Sequence, residues 1–138
     1  MKRIIIFSVA LFLSIASTYS QNVDRQTEEP RVLYEYDSQN RLWKESLLDY
    51  RGRVIAIHEF TYDNRGNLTR RIIKNRTDII LAETIFYYNA QDQMIFSQTR
   101  DGSCIIISST IYTYDEQGNL IRRDVIDNNL NLIRSEYD

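Results

Sequence analysis

A Tyr-Asp pair, once Tyr-Asn, returns every 26 residues, at Tyr36-Asp37, Tyr62-Asp63, Tyr88-Asn89 and Tyr114-Asp115. A fixed period obliges a chain to fold as copies of one unit, each too small to bury its apolar surface without its neighbours. Two more features keep the same register. A polar-apolar pair follows each turn, at Arg41-Leu42, Asn67-Leu68, Gln93-Met94 and Asn119-Leu120, and an aromatic precedes each tyrosine by two, at Tyr34, Phe60, Phe86 and Tyr112.

The residues after each tyrosine spell a turn. Asp37-Ser38-Gln39-Asn40, Asp63-Asn64-Arg65-Gly66, Asn89-Ala90-Gln91-Asp92 and Asp115-Glu116-Gln117-Gly118 open on Asp or Asn and close on Asn, Asp or Gly. An opening Asx caps a type I turn, and the closing residue types tolerate the positive φ of a G1 bulge. A second set keeps only the opening Asx in every copy: Asp49 to Gly52, Asn75 to Asp78, Asp101 to Cys104 and Asp127 to Leu130. Each repeat is therefore two strands and two turns.

Ile, Leu, Tyr, Phe and Thr fill the short segments between turns, and no proline follows Pro30. Both facts suit paired strands. The expected fold is all-β, an antiparallel meander of eight or nine strands, curled or partly barrel-like. Its register sets Tyr36 opposite Leu42, Tyr62 opposite Leu68, Tyr88 opposite Met94 and Tyr114 opposite Leu120. One step inward it sets Tyr34 opposite Lys44, Phe60 opposite Arg70, Phe86 opposite Phe96 and Tyr112 opposite Arg122. It also sets His58 opposite Ile72 and Glu59 opposite Arg71. The repeated Tyr and Phe are expected to form the core. Trp43, Ile57, Ile73, Ile85, Ile95, Ile107, Ile111 and Ile121 are expected on the other face.

The stretches YDNRGNLTRR (62–71) and YDEQGNLIRR (114–123) resemble the YD repeats of Rhs-type proteins and toxin shells. The resemblance runs from about residue 34 to 126 and implies a long antiparallel sheet that coils into a wall. YDSQNRLWK and YYNAQDQMI lack the glycine, and no self-cleaving core or toxin domain accompanies the repeats, so an encapsulating role is not implied. The chain also resembles small exported Bacteroidota proteins of unknown function, a likeness that carries no activity.

Lys2-Arg3, the apolar run Ile4–Leu13 and the small residues up to Ser20 fit a secretory signal. The run is too short for a spanning helix, which needs about 20 apolar residues. The expected organisation is a signal peptide at 1–20, a flexible leader at 21–31 and one β-repeat domain at 32–138, in the periplasm or outside the cell. Of the 17 basic residues, two lie in the signal, leaving 15 against 19 acidic ones, a formal −4. With no basic stripe, nucleic acid is an unsuitable partner. The expected partner is a protein or glycan, or another copy of the chain met through open sheet edges.

Candidate chemistry is sparse. His58 is the only histidine and Cys104 the only cysteine, and they lie 46 residues apart. No catalytic residue, cofactor or metal site is expected: each turn offers one Asx already engaged as a cap, whereas a calcium loop needs several converging oxygens. Cys104 reads as a small strand or turn residue, with pairing between chains as the alternative. Glu35, Glu45, Glu59 and Glu83 read as strand acids. Aromatic side chains are the remaining signal. Trp43, Tyr50 and Tyr87, on the second face or in a turn, are the candidate ligand contacts.

Overall fold

The computed structural model describes residues 4–8 and 31–137. Ten strands form one antiparallel sheet in strict chain order: β1 (Ile4–Ser8), β2 (Arg31–Tyr36), β3 (Leu42–Leu48), β4 (Val54–Tyr62), β5 (Leu68–Asn75), β6 (Ile80–Tyr88), β7 (Met94–Asp101), β8 (Ile106–Tyr114), β9 (Leu120–Ile126) and β10 (Leu132–Tyr137). The sheet does not close into a barrel, since β1 and β10 each have one neighbour. Strand β1 falls within the expected signal segment, and its partner β2 begins at Arg31. The expected cleavage junction at Ser20 and the leader up to residue 30 lie outside the described residues.

All eight turns joining β2 through β10 share one hydrogen-bond plan. The N–H of the opening Asx donates to the carbonyl four residues on, and the N–H three residues on donates back to the Asx carbonyl, as in Asp63 to Asn67 (2.9 Å) and Gly66 to Asp63 (3.2 Å). Closing residues sit at positive φ: Asn40, Gly66, Asp92 and Gly118 at one end of the sheet, and Gly52, Asp78, Cys104 and Leu130 at the other. The second, weaker turn set is thus built like the first. Cys104 and Leu130 adopt the left-handed region without the residue types that favour it.

The tyrosine pairs form as expected, Tyr36 with Leu42, Tyr62 with Leu68, Tyr88 with Met94 and Tyr114 with Leu120. The next pairs are displaced by one residue. Tyr34 faces Glu45, Phe60 faces Arg71, Phe86 faces Ser97 and Tyr112 faces Arg123, in place of Lys44, Arg70, Phe96 and Arg122. The cause is a second irregularity beside each turn: Trp43, Thr69, Ile95 and Ile121 are inserted residues of β-bulges, where two residues oppose one. The slip moves His58 opposite Ile73 and Glu59 opposite Ile72. By alternation, Ile73 therefore shares the tyrosine face, contrary to expectation.

A one-layer sheet has no enclosed interior, and its burial lies along the strand middles. Leu48 and Ile72 are the buried apolar residues among those described, both by alternation on the face opposite the tyrosines, and Ser46, Thr84, Ser97 and Ser109 are buried polar ones. The repeated tyrosines are half-buried. Neighbouring strands cover them from the side rather than a second layer from above.

Candidate functional site

The Tyr-Asp end of the sheet is a continuous row of bonded loops. Beyond Lys44–Glu59 the β3–β4 ladder stops, and there the Tyr62 hydroxyl donates to the Leu42 carbonyl at 2.8 Å. Tyr88 repeats this to Leu68 at 2.9 Å and Tyr114 to Met94 at 2.8 Å. Burial raises the pKa of all three phenols, which therefore act as neutral donors. The loops are also cross-linked. Arg41 donates to the Asp63 carbonyl (3.2 Å) and stacks 5.0 Å from the Tyr62 ring, Asn67 donates to Asp92 Oδ1 (2.7 Å), and Gln93 donates to the Gly118 carbonyl (3.1 Å).

Within each turn the opening carboxylate or amide oxygen accepts two backbone N–H bonds, from two and four residues on. The Arg41 N–H holds the Asp37 carboxyl below its ordinary pKa, and the Arg53 N–H does the same for Asp49. The Asn119 and Asn131 side-chain amides do so for Asp115 and Asp127. These carboxylates are structural caps, and no group of three or more His, Cys, Asp or Glu side chains suited to a metal occurs among the described residues.

The opposite end has a different surface. Ile55, Leu81, Ile107 and Ile133 occupy one position in successive repeats and are 45%, 50%, 52% and 60% exposed. Each is an inserted bulge residue, skipped between Val54 and Ala56, Ile80 and Ala82, Ile106 and Ser108, and Leu132 and Arg134. Because successive members lie two strands apart, the row repeats at about 10 Å. Ile79 and Ile105 widen it in the middle repeats. The turns pack closely here: a Cβ added to Gly102 would lie 2.2 Å from the Ile80 carbonyl oxygen.

The three expected ligand contacts do not converge. Trp43 and Tyr87 lie near the Tyr-Asp end, on β3 and β6, with Lys44 Nζ 5.5 Å from the Trp43 ring and Phe96 5.7 Å from Tyr87. Tyr50 sits in a far-end turn, with the Arg51 guanidinium 5.1 Å from its ring. His58 is bound to Glu45 at 3.2 Å in mid-β4, while Cys104 is exposed in the turn after β7. The Glu59 carboxylate pairs with Lys74 at 2.9 Å, not with Arg71. The aliphatic row was missed in the sequence, although its signal was present: Ile or Leu occurs six residues after the opening Asx of every far-end turn.

Neither a protein-family model nor a curated protein matches the chain. Among solved structures it is similar to one of TcdB2-TccC3-TEV, at 22% identity and a TM-score of 0.54, over 70% of this chain and 4% of that one. A structure of TcdB2-TccC3-Cdc42 matches more loosely, at 17% identity and a TM-score of 0.33, over 73% of this chain and 6% of that one. The first likeness shows the fold alone: an antiparallel β-sheet of hairpin units. The chain spans a small fraction of both matched proteins.

Proposed function

We propose that this chain is an exported, non-catalytic β-repeat module that binds or scaffolds a protein outside the cytoplasm. The exposed aliphatic row Ile55, Leu81, Ile107, Ile133 carries the reading. Exposed aliphatic side chains recurring at one position of every repeat offer a regular apolar surface for contact. Aliphatic branches favour a protein partner over a glycan, since sugars stack on aromatic rings and Trp43, Tyr50 and Tyr87 are spread across both ends of the sheet. The repeating geometry suits an extended partner laid across the strands.

Photo-crosslinking residues placed at Leu81 and Ile107 in the producing cell test this, with Thr113 on β8 as control. The two row positions are expected to join one defined protein while the control does not. Equal labelling at all three sites, or binding confined to a glycan array, overturns the reading. Export is tested separately by N-terminal sequencing, which is expected to start at or near Gln21; an intact Met1 excludes it.

A further inference from the structure

Strand β10 carries β9 on one side and none of the described residues on the other. An edge strand presents unpaired N–H and C=O groups that template pairing with another strand unless proline, charge, a bulge or short length opposes it. Residues Leu132–Tyr137 read LIRSEY, with no proline, and the two charges, Arg134 and Glu136, are opposite in sign and so can complement a second copy. Leu132, Ile133 and Tyr137 are among the most exposed large apolar residues of the molecule.

We infer that β10 pairs antiparallel with β10 of a second copy, across a two-fold axis at Ser135. The argument is one of register. A two-fold axis normal to a sheet keeps each face on its own side, so a residue can oppose only residues of its own face. Arg134 and Glu136 share a face, which leaves three registers near the centre of the strand. One sets Arg134 against Arg134 and another sets Glu136 against Glu136, and like charges directly opposite destabilise. The third, centred on Ser135, sets Arg134 against Glu136 twice. Charge thus selects the alignment.

The groups are placed for it. Arg134 Nε lies 3.1 Å from Glu136 Oε1 within one strand, and the two side chains remain 63% and 40% exposed. Arg123 of β9 lies 3.8 Å from Glu136, so the carboxylate has cationic neighbours on both sides in the single chain. Pairing exchanges an intrastrand contact for two cross-strand ones and closes the open ladder.

Sedimentation of the purified full chain in reductant tests the inference. The chain is expected to be a dimer. Arg134→Glu and Glu136→Arg each set like charges face to face, and each is expected to weaken the dimer by about tenfold or more. Mixing the two variants sets an edge with two carboxylates against an edge with two guanidinium groups and is expected to restore association as a heterodimer; the double variant is expected to restore the homodimer. Circular dichroism of each variant reports whether the sheet is intact. A monomeric wild-type chain, a dimer lost on reduction (pairing through Cys104), or failure of the mixture to associate overturns it.

Discussion

The Tyr62 hydroxyl donates to the Leu42 carbonyl at 2.8 Å, across strands whose own ladder has already ended. The side chain thus replaces a missing backbone bond, and the same substitution recurs at Tyr88 and Tyr114. Tyr62→Phe removes the donor while leaving the ring, and is expected to cost about 1 kcal/mol. Tyr62→Ala also removes half-buried ring surface and is expected to cost about 2–3 kcal/mol. Urea denaturation measures both, and equal stability of the Tyr62→Phe variant and the wild-type chain would show the carbonyl to be satisfied by water.

Gly66 and Gly102 are glycines for different reasons. Gly66 sits at φ 95° with open space around its Cα, so Gly66→Val is expected to lose about 1–2 kcal/mol through backbone strain alone. Gly102 has ordinary φ, but any Cβ meets the Ile80 carbonyl. Gly102→Ala is therefore expected to cost about 1–3 kcal/mol although alanine is harmless elsewhere in such turns. Thermal melts of the two variants separate strain from collision.

Leu130 is the converse case, with φ 65° and a side chain 80% exposed. The left-handed conformation costs a branched residue about 1 kcal/mol, and little apolar contact offsets it. Leu130→Gly is expected to stabilise the chain by about that amount in chemical denaturation. A loss of stability would place Leu130 in a contact that the sheet alone does not make.

Acid sensitivity follows from the caps. Asp37, Asp49, Asp115 and Asp127 have folded pKa values below the unfolded value of 3.8. Their contribution is fully present above that value and is lost as pH falls through the lower folded values. Urea midpoints are expected to hold steady from pH 7 to 5 and to fall below pH 4. Asp37→Asn with Asp115→Asn keeps the N–H bonds, as Asn75 and Asn89 already do, and is expected to make the fall shallower.

The turns and the pair flanking each were legible because their chemistry is local: an opening Asx and a residue at positive φ need no knowledge of the rest of the fold. The far-end turns were harder, since Cys104 and Leu130 occupy the left-handed position against their own preferences. The bulges at Trp43, Thr69, Ile95 and Ile121 carry no residue signature, being tryptophan, threonine and isoleucine, so the inner pairs came out one residue wrong. The aliphatic row escaped notice for a related reason. Ile55 or Leu81 in a strand sequence looks like core, but in a one-layer sheet its place in a bulge beside the turn leaves it exposed.

Sequential strand order has a kinetic consequence. Every strand touches only the strand before it and the strand after it, and from β2 to β10 the connections are short turns, so there no contact waits on the closure of a long loop. Any hairpin can serve as the starting point, and order then spreads one strand at a time in both directions. Opening runs the same course in reverse: each terminal strand is held from one side and each central strand from two. Amide exchange should therefore be slowest around β5 to β7 and quicken toward both flanks, so the middle repeats serve as the clamp that outlasts the rest.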